Sequence, residues 1–261
     1  MSNDKRKSSE RLGSYRKDRM FAVREAYRSI RTNINLFLNK SGCKKLVFTS
    51  ALQGEGKTVT SCNIAFSMAQ TEARVLFIDT DMRRPRVHRV MKLPNGLGLS
   101  DILSGKCSLE EGVSHTKYAK LDVITAGSRA FNPAELLASE AMERLLAEAE
   151  KQYDCILLDA PPVNVVSDVL PVAKMADGVV LVVRQKYSTV PVVKKAVQSL
   201  RAIGANILGV VLNFADIRDY QEEYQGGRGY RYTRRYGYGY GDRSVKGSSV
   251  DDDDEDDDFQ A

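Results

Sequence analysis

The segment SALQGEGKT at residues 50–58 sets two glycines, Gly54 and Gly56, just before a lysine and a threonine. These residue types in this order suit phosphate chemistry. Glycines let backbone N–H groups turn inward onto phosphate oxygens, Lys57 can neutralise β- and γ-phosphates, and the Thr58 hydroxyl can ligate Mg²⁺. The pattern departs from G-x-x-x-x-G-K-[ST] at its first glycine, where Ala51 stands. Two further segments carry carboxylates. VLFIDTDMRRP places Asp79 and Asp81 two residues apart after an apolar run, and CILLDAPP places Asp159 at the corresponding end of another. In an extended chain residues i and i+2 project to one side, and parallel α/β sheets bind ligands outside the carboxyl ends of their strands. The three carboxylates could therefore stand beside one nucleotide, although each alone could equally cap a turn.

The elements that must position these residues are legible as a rhythm. Short apolar runs occur at 46–48, 75–78, 121–124, 155–158, 179–183 and 207–212, and they lack polar alternation, which predicts strands covered on both faces. Helical spacing is expected at about 57–70, 134–151, 167–175 and 189–203, so strands and helices alternate. The fold predicted is α/β, a doubly wound, mainly parallel sheet. Ahead of it, Phe21, Ala22, Ala26, Ile30, Ile34, Phe37 and Leu38 recur near helical spacing and predict an amphipathic helix.

Composition narrows the function classes. At 261 residues with 43% hydrophobic and 28% charged residues the chain can bury a core. No apolar stretch reaches the roughly 18 residues of a spanning helix, and the charged first 20 residues carry no signal-peptide apolar segment. Cys43, Cys62, Cys107 and Cys155 form no C-x-x-C pair, which argues against a disulfide framework or a zinc site and for a reducing, cytoplasmic setting. His88 and His115 are the only histidines, too few for a multi-histidine metal site. The net charge of +5 conceals an acidic run of eight residues, Asp251 to Asp258; without it 26 acidic residues face 39 basic ones. Such a basic body attracts polyanions without choosing among them.

SALQGEGKT, LFIDTDMRRP and ILLDAPP, in that order, resemble the Walker A, Walker A′ and Walker B motifs of the bacterial tyrosine kinases. EAYRSIR at 25–31 resembles their E-x-x-R-x-x-R helix, GLGLSDILSG and NPAELLAS match intervening segments, and a tyrosine cluster closes the likeness over roughly residues 20–240. The resemblance is greatest to the soluble kinases of Gram-positive capsule and exopolysaccharide operons. It implies a P-loop NTPase fold of the deviant-Walker group that includes MinD and ParA. Leu52 stands where the MinD and ParA branch usually carries an extra lysine, which favours the kinase branch. Two departures are Gln53, where the family often has proline, and the acidic run, which matches no family feature.

On this resemblance Gly54, Glu55, Gly56, Lys57 and Thr58 hold ATP, and Thr58, Asp81 and Asp159 position Mg²⁺. Lys57, Asp79 and Asp81 are the catalytic residues, with Asp79 the candidate base for a tyrosine hydroxyl whose ordinary pKa is near 10. Asn213 matches a position near the adenine base, though an Asn after a strand is also a routine turn residue. Glu25, Arg28 and Arg31 form the family's intersubunit contact in a ring; as i, i+3 and i+6 they could instead make pairs within the helix. The cationic cluster Arg83, Arg84, Arg86, His88 and Arg89 could receive an acceptor peptide or a partner's acidic groups, or be a solvated loop.

Seven of the twelve tyrosines, Tyr220, Tyr224, Tyr230, Tyr232, Tyr236, Tyr238 and Tyr240, fall within 21 residues rich in Gly and Arg. That composition predicts a low-complexity tail and exposed phosphoacceptors. The organisation expected is a basic disordered segment 1–17, an oligomerisation helix 18–40, a kinase domain 41–217, an autophosphorylation tail 218–241 and an acidic disordered tail 242–261. The function expected is an ATP- and Mg²⁺-dependent tyrosine kinase that phosphorylates its tail between subunits and regulates polysaccharide synthesis. Its expected place is the inner face of the plasma membrane, recruited by a separate transmembrane activator or polysaccharide co-polymerase. Two rivals are a MinD- or ParA-like ATPase switch and a nonenzymatic nucleotide-binding interaction protein. An Arg/Gly/Tyr nucleic-acid-binding tail is a minor alternative, set aside because of the motifs upstream.

Overall fold

Strands β1 (Lys45–Ser50), β2 (Val75–Asp79), β5 (Cys155–Asp159) and β6 (Gly178–Arg184) are buried almost end to end, as their uninterrupted apolar runs require. With β3 (Ser114–His115), β4 (Leu121–Ile124) and β7 (Ile207–Asn213) they form one sheet, ordered β3-β4-β2-β5-β1-β6-β7. Every pairing is parallel except β3 with β4. The computed structural model describes residues 21–38 and 44–215. The expected segments 1–17, 218–241 and 242–261, and all seven tail tyrosines, lie outside these residues.

Helices cover both faces of the sheet. A helix through residues 21–38 (α1) and α2 (Lys57–Ala69) lie over one face, where Ile34, Phe48, Ile64, Met68 and Phe77 share a buried cluster. The other face carries α7 (Glu140–Gln152), α8 (Val169–Met175) and α9 (Val190–Ala202), which close over Val47, Leu76, Ile156 and Leu181. Smaller helices α3 (Val87–Val90), α4 (Leu99–Leu103), α5 (Leu109–Gly112) and α6 (Pro133–Leu137) fill the connections after β2 and β4. The doubly wound, mainly parallel sheet is as the sequence predicts.

Two expectations need correction. The helix expected over 134–151 is two helices, α6 and α7, because the chain turns at Ala138 and Ser139; the Ser139 hydroxyl donates to the Leu136 carbonyl at 2.7 Å, closing off the first helix. The strand at 207–212 is not covered on both faces. β7 is the sheet edge, and among the described residues nothing covers Val210 and Leu212, which are 55% and 46% exposed.

A buried acid ties the stretch before α4 to the loop after β4. Asp101 is 1% exposed and accepts hydrogen bonds from the amides of Gly98 and Ser128, which, with Lys106 nearby, keep its carboxyl below the ordinary range despite burial. Gly98 passes so close to Gly127 that a Cβ would lie 2.4 Å from the Thr125 carbonyl. The sequence GLGLSD therefore folds as a turn pinned across the sheet's C-terminal edge.

Candidate active site

β1 runs into the loop 51–56, which opens α2 at Lys57. Gly54 and Gly56 both have φ near +80, a conformation costly for any residue with a Cβ. At Gly56 a Cβ would also meet the Asn213 amide nitrogen at 2.1 Å. The first turn of α2 holds no acidic residue of its own, so the helix does not itself offset the partial positive charge of its N-terminus.

Parallel register brings the carboxylates together. β5 lies between β1 and β2, pairing Phe48 with Asp159 and Asp79 with Asp159. Asp159 is 1% exposed, and one of its oxygens accepts from Lys57 Nζ at 2.8 Å and from Thr58 Oγ1 at 2.7 Å. Its other oxygen accepts from Ser61 Oγ at 3.0 Å. Ser61 escaped the motif reading, yet it sits four residues after Lys57 on the same helix, the spacing that places two side chains on one face.

Asp79 is fully buried, and its oxygens accept three backbone amides, those of Asp81, Arg86 and Val87, at 3.1–3.2 Å. Burial, with the Asp159 charge alongside, pushes its carboxyl up to about 7. Asp81 is half-buried and bonds the Arg84 amide; its carboxyl is raised mainly by burial, and the Lys57 charge opposes that rise. Lys57, Thr58, Asp79, Asp81 and Asp159 are thus gathered at one place, as the motif reading expected.

A set of braces holds the loop from outside, and no motif announced it. Glu55, 1% exposed, does not face the loop's interior; its carboxylate accepts the amides of Leu52 at 2.6 Å and Arg184 at 3.3 Å and bonds the Ser188 hydroxyl. Asn213, expected near an adenine base, donates to the Glu55 carbonyl at 3.0 Å. Arg184 donates to the Gly54 carbonyl and its guanidinium lies 4.3 Å from the centroid of the Phe214 ring. Arg83 grips the buried Asp168 through two bonds, tying the turn after β2 to α8. Glu55 with Arg184, Arg83 with Asp168 and Asn213 with Glu55 lie 85–158 residues apart in sequence, beyond any local pattern.

The residues expected for assembly divide. Arg28 pairs with Glu25 on an exposed surface, whereas Arg31 donates to the Ser67 carbonyl at 2.6 Å and fastens α1 to α2 of its own chain.

The donor set fits Mg²⁺ and ATP: positive-φ glycines, a lysine at a helix N-terminus, and hydroxyl and carboxylate oxygens of the hard type that Mg²⁺ prefers. Among the described residues no three His, Cys, Asp or Glu side chains form a metal cage. This agrees with an ion held partly by substrate phosphates and water.

Comparison with known proteins places this geometry. A family model described as AAA domain matches residues 43–207. The tyrosine-protein kinase YwqD of Bacillus subtilis is 38% identical over 198 residues, 76% of this chain and 84% of the relative. The putative tyrosine-protein kinase CapB of Staphylococcus aureus is 37% identical over 191 residues, 73% and 84% of the two chains. The solved kinase domain of the Escherichia coli tyrosine kinase ETK superimposes with a TM-score of 0.70 at 35% identity, over 74% of this chain and 77% of that one. The septum-site protein MinD of Pyrococcus horikoshii, 20% identical with a TM-score of 0.56 over 65% of this chain and 69% of its own, shares the fold alone. With the phosphate loop, the three carboxylates and these relatives in agreement, the chain belongs to the bacterial tyrosine-protein kinase family, a branch of the deviant-Walker P-loop NTPases.

Proposed function

We propose that this protein-tyrosine kinase transfers the γ-phosphoryl group of ATP to tyrosines of its own C-terminal cluster, acting between subunits of an oligomeric ring. The observation that carries the reading is the convergence of Lys57, Thr58 and Ser61 on Asp159, beside Asp79 and Asp81. β7 ends at the same edge, with Asn213 against the loop and Tyr220 seven residues on.

When bound, Mg²⁺–ATP supplies the transferable phosphoryl group and a divalent counter-charge. Gly54 and Gly56 shape the loop that receives phosphates, and Lys57 stabilises the charge that builds on them. Thr58, Asp81 and Asp159 would hold the ion. Asp79 is proposed as acceptor of the phenolic proton. Three of its roughly four lone-pair positions are taken by amides, which leaves one, and a carboxyl with proton affinity near neutrality suits that role. Most of the acceleration should come from alignment and charge stabilisation.

The wider role proposed is control of capsular or exopolysaccharide synthesis at the inner face of the plasma membrane. It would involve a separate transmembrane activator or co-polymerase and tyrosines of other proteins as further substrates. Among the described residues no helix is long and apolar enough to cross a membrane.

The test is incubation of the purified full chain with ATP and Mg²⁺, with and without an activator's cytoplasmic segment, and mapping of phosphotyrosine by mass spectrometry. Phosphate on Tyr220 to Tyr240 that vanishes in Lys57→Met is the expected result. ATP hydrolysis without any phosphotyrosine would point instead to a switch ATPase.

A further inference from the structure

From Met82 to Ser100 the chain contains no acidic residue and five Arg or Lys residues. Arg83 is the member with a carboxylate partner, Asp168. Arg84, Arg86, Arg89 and Lys92 are all exposed, and none has an ion-pair partner among the described residues. They are not scattered. The Arg89 amide donates to the Arg86 carbonyl at 3.0 Å and the Lys92 amide to the Arg89 carbonyl at 3.3 Å, so the three fall within one short segment around α3, with Arg86 as its N-cap and Lys92 just beyond its C-cap Met91. With Arg86, Arg89 and Lys92 all exposed, this segment forms a basic ridge. Arg84 extends this ridge to the phosphate loop through its bond to Gln53 Oε1 at 2.8 Å.

The ridge is also rigid. Val87 anchors it in the core, and the buried Asp79 accepts the amides of Arg86 and Val87. A fixed row of unpaired cations raises the local potential and invites an extended polyanion, which loses little by lying along it.

The same chain carries such a polyanion. Asp251 to Asp258 are eight consecutive carboxylates, starting 36 residues after Ala215, the last described residue. The exit point is close to the ridge: Phe214 approaches Gly56, and Gln53, three residues before Gly56, touches Arg84. A Gly-rich linker of that length spans about 30–36 Å on average, a reach that would bring the run to Arg86, Arg89 and Lys92. Tethering also raises its effective concentration at the ridge to the millimolar range, of order 1 mM.

We propose that the acidic run Asp251–Asp258 docks in cis on the ridge formed by Arg84, Arg86, Arg89 and Lys92. The docked tail is a strap. Both ends of the segment bearing the tyrosines are then held beside their own subunit's phosphate loop, which withholds those tyrosines from a neighbouring subunit. The consequence for phosphorylation rests on the kinase reading above, while the docking itself requires no catalysis.

Lys92 gives a direct test, because a carbodiimide joins an amine to a carboxylate only when the two are in contact. The full-length protein is dephosphorylated, treated with carbodiimide at low salt, and the new amides are mapped by mass spectrometry. Coupling of Lys92 to the 251–258 run within a single chain is expected. It should fall several-fold in Arg86→Gln/Arg89→Gln, where Lys92 remains as reporter, and at 1 M salt, where the Debye length shrinks to about 3 Å. Coupling of the run to Lys246 and not to Lys92, coupling only between chains, or a yield unchanged by salt and by the double substitution would overturn the proposal. A second measurement concerns the strap: with the run converted to Asn and Gln, phosphorylation of the tail between subunits should rise several-fold. If Lys92 couples as expected but no phosphotyrosine forms in any variant, the docking stands and the kinase reading falls.

Discussion

At the scale of single residues, the candidate site is built around a buried ion pair. Lys57 and Asp159 are 7% and 1% exposed, so removing one partner leaves the other charge unpaired in a poor dielectric, at a cost of about 3–5 kcal/mol. Lys57→Met should therefore lose tyrosine phosphorylation and also unfold at lower urea. Lys57→Met/Asp159→Asn should regain much of the stability and none of the activity. Urea midpoints for the single and double variants check this, and additive losses would count against a coupled pair. Asp79 gives a pH signature. Its folded carboxyl, at about 7, lies above its ordinary value of 3.8, so its protonation favours the folded state. That contribution is complete below pH 3.8 and is lost as pH rises through about 7. Between pH 5 and 8 the wild type should lose stability and Asp79→Asn should lose less of it, as read from urea unfolding at both pH values. Parallel slopes would remove Asp79 as the titrating group.

The loop 51–56 is the element proposed to receive ATP phosphates, and its shape is set by neighbours distant in sequence. Glu55→Gln retains one acceptor oxygen, so its amide group must face either the Leu52 amide or the Arg184 amide, both donors. An unsatisfied buried group costs about 1–3 kcal/mol, so ATP affinity should fall roughly ten-fold, measurable with a fluorescent nucleotide, while the far-UV dichroism stays unchanged. Gly56→Ala combines a positive φ with a clash at Asn213, and the loop must move. It should weaken ATP binding more than Gly105→Ala, which shares the positive φ but has open space around it. Equal effects of the two would mean that the contact with Asn213 is irrelevant to the loop.

For the whole molecule the informative contrast lies on α1. Arg31 ties that helix to α2 of its own chain, whereas Arg28 and Glu25 face outward. Arg28→Ala should weaken self-association, seen by light scattering, without lowering thermal stability. Arg31→Ala should lower thermal stability as well, because α1 loses an anchor. If Arg31→Ala changes assembly alone, the bond to Ser67 contributes nothing measurable. Transfer between subunits is tested by mixing an inactive Lys57→Met chain with an active chain whose seven tail tyrosines are Phe. Phosphotyrosine on the inactive chain is expected, and its absence, while the active chain still modifies an added peptide, would show that transfer is not in trans.

The sequence by itself determined the parts of this protein that local physics controls. Uninterrupted apolar runs at 46–48, 75–78 and 155–158, punctuated by turn residues, favour buried strands, and GEGKT between a strand and a helix favours a turn through its glycines. Asp79 and Asp159 at the ends of two such runs were therefore legible as candidates before their register placed them side by side. At β7 the same logic failed, because an apolar run does not say whether its strand will be central or an edge. The single helix expected over 134–151 failed where Ser139 bonds back to Leu136, a choice between two turns that composition leaves open. Only the tertiary structure decided what surrounds the site. Glu55 with Ser188, Arg83 with Asp168, and Asn213 with the phosphate loop are 85–158 residues apart. Hydrogen bonds over such separations exist only once the sheet has fixed its strand order, and so no spacing rule along the chain can announce them.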